Sequence, residues 1–190
     1  MEISWVRIYL LLGLLFHKAV WEFMKARQGG APPSAPRPWK VRLLSSIKVG
    51  ILLGIIIQTL LPPVLAISAE PSTLTAVGIV FYTLGLLMAV SGRLQLGWNW
   101  SDIEKSHVKG GHQLVEHGLY RYVRHPIYGG DLLLLLGLEL VLNSWCVLGV
   151  GAIAVYVCRQ AIREERKLCE VLPRYDQYCR RTSRFLPFLV

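Results

Sequence analysis

The sequence predicts an all-α integral membrane protein with about five transmembrane helices, the last two forming a helix-turn-helix hairpin. Three observations carry this class. Hydrophobic residues make up 53% of the 190 positions and charged residues only 17%. The apolar residues come in blocks instead of alternating along the chain. The basic residues fall between those blocks, and one connecting segment, 62–72, has neither Lys nor Arg.

Taken in order, residues 5–24, 47–68 and 73–91 are each apolar over about 19 residues or more, enough to cross a hydrocarbon core of roughly 30 Å as helices. The first block reads as a retained helix and not a signal peptide, because Glu2 spoils a basic leader and no small-x-small site follows Met24. Residues 28–38 hold four prolines and two glycines and read as an extended surface loop. The last block, 131–159, would make a single helix of about 43 Å, too long for one upright span. Asn143-Ser144 breaks it near the middle, which predicts two shorter helices meeting there.

Charge sets the expected topology. Lys25, Arg27, Arg37, Lys40, Arg42 and Lys48 lie between the first two blocks, and Arg93, Lys105, Lys109, Arg121 and Arg124 precede the last. Both segments are then cytoplasmic and the N-terminus lies on the opposite side. The tail is as basic, from Arg159 to Arg184. Only a hairpin that enters and leaves on one face returns it to the cytoplasm. Residues 1–91 are expected to form three helices with a basic loop, and residues 92–190 the functional region.

The net charge of +9 is accounted for by this topology. The cations flank membrane spans and face anionic headgroups, with no nucleic-acid module in view and no protein partner identifiable. Cys146, Cys158, Cys169 and Cys179 form no CxxC pair, so reduced thiols are expected. His107, His112, His117 and His125 do not share a helical face, so no metal site is read. His17, alone in the first block, reads as a hydrogen-bonded packing residue, and Lys18 and Glu22 as an i,i+4 pair. Glu139, inside the hairpin, reads as bonded to a neighbouring helix.

Function points to the segment from Gly118 to Tyr128, which crowds cations, phenols and an imidazole at the mouth of the hairpin. Pro126 turns His125 out of helical geometry and starts the next helix, giving an extended strap. Asp131 is expected in the first helical turn, complementing the dipole, and Gly129-Gly130 allow backbone or ligand to approach closely. An aromatic belt at the headgroups and a binding site both fit these residues. A second polar cluster, Arg159, Arg163, Glu164, Glu165 and Arg166, leaves the hairpin beside the strap. Across that cleft a carboxylate would face Arg124 and His125.

The ordered set His112-Gln113-Leu114-Val115, Gly118-Leu119-Tyr120, Arg124-His125-Pro126-Ile127-Tyr128, Glu164-Glu165, Tyr175-Asp176-Gln177-Tyr178 and Phe185-Leu186-Pro187 resembles the isoprenylcysteine carboxyl methyltransferase family and related membrane phospholipid methyltransferases. The likeness runs from Leu96 to the end. It implies S-adenosylmethionine in a cytoplasmic pocket formed by the loop before the hairpin and the C-terminal tail. His112, Leu114, Val115, Tyr120, His125, Pro126, Tyr128 and Glu164 match cofactor-holding positions. Arg159 or Arg163 matches a substrate-associated arginine, and Arg124, His125 and Glu165 are the residues expected at the chemistry. The implied reaction is methyl transfer to an amphipathic, lipid-like or prenylated acceptor drawn from membrane lipid, as a carboxyl O-methylation. Ala161-Ile162-Arg163 stands where relatives acting on prenylated proteins have a longer acidic run. The closing elements also resemble the end of membrane sterol reductases, which implies NADPH, and a non-enzymatic membrane adaptor is the third reading.

Overall fold

A computed structural model describes residues 4–27, 39–61, 66–99 and 113–185. They form six α-helices: α1 (Trp5–Arg27), α2 (Trp39–Leu60), α3 (Ser72–Leu96), α4 (Pro126–Val141), α5 (Val147–Val171) and α6 (Tyr175–Arg181). Among the described residues, the 3-10 turns Gly97–Asn99 and Gly118–Arg121 lie between α3 and α4. Among the described residues there is no strand, only the isolated bridges Ala66 to Ser144 and Val123 to Ser183.

The tightest contact is between α3 and α4, and glycine spacing explains it. Gly78, Gly85 and Gly92 recur every seven residues on α3, and Gly130 and Gly137 do so on α4. A Cβ on Gly130 would fall 2.5 Å from the Ala89 nitrogen, while one on Gly85 or Gly137 would strike the backbone of Leu134 or Tyr82. Small residues let two backbones meet where solvent drives no association. Of the two approaches expected at Gly129-Gly130, backbone or ligand, Gly130 takes the first, meeting the backbone of Gly85 and Ala89. Leu10, Tyr82, Leu134, Leu138 and Leu142 complete the core beside this seam.

Polar bonds fasten the outer helices. Tyr82 donates to the Leu10 carbonyl at 2.6 Å, and Tyr9 meets Thr83 at 2.7 Å, holding α1 to α3. His17 Nε2 lies 2.9 Å from Asp131 Oδ1, so α1 is also tied to α4. Asp131 is the sixth residue of α4, beyond the first turn in which it was expected to complement the dipole, and engages His17 instead. Gln58 of α2 donates to Glu139 at 2.8 Å, the structural role read for that carboxylate, and Lys18 and Glu22 pair at 2.6 Å.

The long apolar block is interrupted where the sequence indicates. Asn143 adopts a left-handed φ of 54°, which Asn tolerates and most residues do not, and α5 follows after a short turn. Its side chain holds the preceding connection, accepting from Ser68 N at 3.0 Å and donating to Ser68 O at 2.7 Å. Other boundaries shift. α2 begins at Trp39 and not at 47, and α3 runs through to Leu96, past the division expected at position 91. Among the described residues, Ser72–Leu96 is the one helix long and apolar enough to cross a membrane by length and composition. All four cysteines are free thiols.

Candidate functional site

The segment read as an extended strap opens instead with the 3-10 turn Gly118–Arg121. Gly118 makes this possible with φ 60°, a left-handed value where a side chain would also collide with Gln95. Gln95 Oε1 then accepts from Leu119 N at 2.7 Å, fixing the turn to the end of α3. Tyr178 of α6 donates to the Tyr120 carbonyl at 2.8 Å. Beyond it the chain runs beside the tail: Ser183 N donates to Tyr122 O at 3.0 Å, Arg124 N to Ser183 O at 2.9 Å, and His125 N to Arg184 O at 3.0 Å. Strap and tail are thus one backbone-paired unit at the start of α4.

Glu165 joins this unit to α5. Its carboxylate accepts from Arg124 Nε at 2.8 Å, His125 Nε2 at 3.1 Å and Arg184 Nη2 at 2.8 Å. Burial pushes this carboxyl up, but the bonds from His125, Arg184 and Arg124 outweigh it and hold the group well below the ordinary carboxylate range. The same contact raises Arg184 above its usual value. Arg124 also donates to the carbonyls of Cys179, at 2.8 Å, and Thr182. A carboxylate so occupied is a poor proton acceptor. Arg124 and Glu165 brace three chain segments, and His125 is bound into the same clamp.

The rings and the second glutamate adjoin this clamp through His125. His125 stacks on Tyr128 with ring centres 5.3 Å apart and planes 1° from parallel, and Phe185 of the tail leans on it at 5.9 Å. Tyr128 donates to Glu164 Oε2 at 2.8 Å, across from α4 to α5. Burial pushes the phenols of Tyr120, Tyr175 and Tyr178 above their ordinary value, so they act as neutral donors and packing surfaces. Pro126 is buried and Leu114 and Val115 are half-buried. His112 lies outside the described residues. Tyr122 is exposed, as an anchor would be.

Of the residues read from the sequence, Tyr120, Arg124, His125, Pro126, Tyr128, Glu164 and Glu165 come together. Arg159 and Arg163 are exposed on α5, and among the described residues no bond joins either to the cluster. Sequence reading missed Arg184 and Ser183, one and two residues before the Phe185 that was noted. Nor did it single out Tyr178 as a strap support, although that residue closes the Tyr-x-x-Tyr element. It also passed over Arg93, which is fully buried with its guanidinium 6.0 Å from the centre of the Trp21 ring.

Residues 73–173, more than half of the chain, match the model of the phospholipid methyltransferase family. The chain belongs to that family. This match runs from α3 to the C-terminal end of α5 and so holds the glycine seam, the strap and both glutamates. The cobalt-zinc-cadmium resistance protein CzcN of Cupriavidus metallidurans is 36% identical over 56% of this chain and 47% of its own length. The protein-S-isoprenylcysteine O-methyltransferase of Schizosaccharomyces pombe is 28% identical over 57% of this chain and 48% of its own. The chain therefore spans about half the length of the curated relatives it matches. A solved eukaryotic intramembrane Ras methyltransferase, isoprenylcysteine carboxyl methyltransferase, superposes with a TM-score of 0.63 over 98% of this chain and 69% of that one, at 18% identity. The fold is of that kind, and the resemblance read from the sequence is borne out.

Proposed function

We propose that this phospholipid methyltransferase family member transfers a methyl group from S-adenosylmethionine to a lipid-like or prenylated acceptor at the membrane surface. The observation that carries this reading is the clamp on Glu165, which gathers strap, tail and α5 and leaves the His125–Tyr128 rings and Glu164 at the hairpin mouth. These residues suit the cofactor's chemistry. A carboxylate beside a phenol offers partners for an amino group or ribose hydroxyls, and stacked rings offer a face to a base or a sulfonium. When bound, the cofactor supplies an already activated methyl electrophile.

The protein's own task is then alignment and exclusion of water. Glu164 and Tyr128 orient the donor, and His125 fixes the ring wall. Arg124 and Glu165 act as positioning residues through the clamp. A carboxylate acceptor needs no base at neutral pH, in keeping with a site whose central carboxylate is fully occupied. The relatives' O-methyltransferase names support carboxyl O-methylation. In this reading α1 to α5 all cross the bilayer, both ends of the α4–α5 hairpin are cytoplasmic, the N-terminus lies opposite, and the tail faces the cytosol.

Calorimetry on the detergent-purified chain tests the reading. Binding of S-adenosylmethionine that weakens at least tenfold in Glu164→Ala is expected. Thermal protection by NADPH but not by S-adenosylmethionine would overturn it in favour of a reductase. Binding unchanged in both His125→Ala and Glu164→Ala would favour a membrane adaptor.

A further inference from the structure

We infer that Arg184 binds a carboxylate of the reacting pair, either the amino-acid end of S-adenosylmethionine or the acceptor's own, on the edge of its guanidinium turned away from Glu165; this rests on the methyltransferase reading above. The clamp holds more positive than negative charge. Arg124 donates to Glu165 from Nε at 2.8 Å, and Arg184 donates to it from Nε at 3.1 Å and from Nη2 at 2.8 Å, so two guanidinium groups share one carboxylate. Arginine stays charged in folded proteins, so the surplus depends on no titration.

That surplus lies at the accessible member of the pair. The Arg124 side chain is only 10% exposed and directs its remaining bonds to the carbonyls of Cys179 and Thr182. Arg184 keeps 38% of its side-chain surface, and its Nη1 has no partner among the described residues. Its Nε–Nη2 edge lies on Glu165. The end of the fork, with one N–H from each Nη nitrogen, is left to grip a second carboxylate by two parallel bonds. Besides Glu165, the groups acting most on this guanidinium are the thiols of Cys158 and Cys179 and not another carboxylate. A bound carboxylate would match two cations with two anions.

Position ties this edge to the reaction. The Arg184 carbonyl accepts from His125 N at 3.0 Å, and the next residue, Phe185, sets its ring 5.9 Å from that of His125. A ligand resting on the His125–Tyr128 rings and Glu164 therefore has Arg184 as a neighbour. Both reactants proposed above carry a carboxylate. Arg159 and Arg163 are exposed on α5 without a bond to the cluster among the described residues, so Arg184 is the accessible cation that the cluster itself holds.

Calorimetry on the detergent-purified full chain, and methyl transfer by the same chain in nanodiscs, test this. If the cofactor's carboxylate is the one held, the unaltered protein binds S-adenosylmethionine at least tenfold more tightly than decarboxylated S-adenosylmethionine, and Arg184→Gln abolishes that preference. If it is the acceptor's, Arg184→Gln leaves the affinity for both cofactor forms unchanged and raises KM for an S-prenylated N-acetylcysteine with a free carboxylate at least tenfold. Arg184→Lys keeps the ion pair with Glu165, and so the clamp, but has no second edge; it should show the same loss. A purely structural Arg184 predicts that both cofactor forms weaken by one common factor, or that neither affinity nor KM moves in either variant. Each of these outcomes overturns the assignment and leaves the methyltransferase reading standing. An unaltered protein that binds no S-adenosylmethionine removes both.

Discussion

The α3–α4 pair and helix α2 are built on opposite plans, though both are long, apolar and rich in glycine. On the α3–α4 seam glycine recurs every seven residues, and at Gly78, Gly85, Gly130 and Gly137 an added Cβ strikes backbone. On α2, Gly50 and Gly54 face open space, and Trp39, Leu43, Ile51 and Leu53 are all exposed. α2 is fastened near its C-terminal end, by Gln58 to Glu139 and by Arg7 to the Leu61 carbonyl at 2.8 Å. The seam carries the hairpin and hence the site. The loose helix presents the apolar surface that lipid can cover. Glycine is thus informative only with its partner: the same residue is a packing requirement on one helix and a weak point on the other.

The largest effect should come from the clamp that the seam supports. Glu165→Gln leaves two arginines and an imidazole around a neutral amide and should destabilise by about 3–5 kcal/mol, measured by thermal unfolding in detergent. The acid sensitivity follows from the same group. Its folded-state pKa lies below the unfolded value, because the bonds from His125, Arg184 and Arg124 outweigh burial. The clamp's contribution is therefore complete above the ordinary carboxylate range near about pH 4 and is lost as pH falls further, an acid limb that Glu165→Gln should lack.

The seam itself comes next. Gly130→Ala forces α3 and α4 apart and should cost about 1–3 kcal/mol, seen as a lower unfolding temperature and weaker S-adenosylmethionine binding together. Gln58→Leu removes the tie between α2 and Glu139 and should cost about 1 kcal/mol without touching cofactor affinity. The smallest change has the opposite sign. Gly54→Ala should stabilise by about 0.5 kcal/mol, since alanine is the better helix former and nothing stands in its way. A destabilised Gly54→Ala would mean that the open face of α2 is packed against something in the membrane.

Much of the site was legible in residue order. Arg124-His125-Pro126 and Glu164-Glu165 could be placed at opposite ends of one hairpin because charge and the Asn143-Ser144 break dictate where the chain must turn. Which glutamate faces Arg124 and His125 was not legible from charge and spacing. The two carboxylates are adjacent in sequence, yet a helix turns about 100° per residue and sends Glu165 into the clamp and Glu164 to Tyr128. Arg184 was hidden for a different reason, since a basic tail on a membrane protein is explained by topology alone. The seven-residue glycine spacing was open to view but became meaningful only when two helices carrying it met.

Local chemistry was within reach of the sequence alone: long apolar blocks, their break at Asn143-Ser144, the proline start of α4, and the pairing of Lys18 with Glu22. These depend on periodicity, backbone preference and neighbours three or four residues apart. Contacts over long sequence separations were decided only by the tertiary structure, among them His17 with Asp131, Gln58 with Glu139, and Arg124 and Arg184 on one carboxylate. Such pairs depend on which faces the helices turn toward each other. That choice is made by whole-bundle packing, in which a glycine seam brings two backbones together and the polar groups carried with them find their partners.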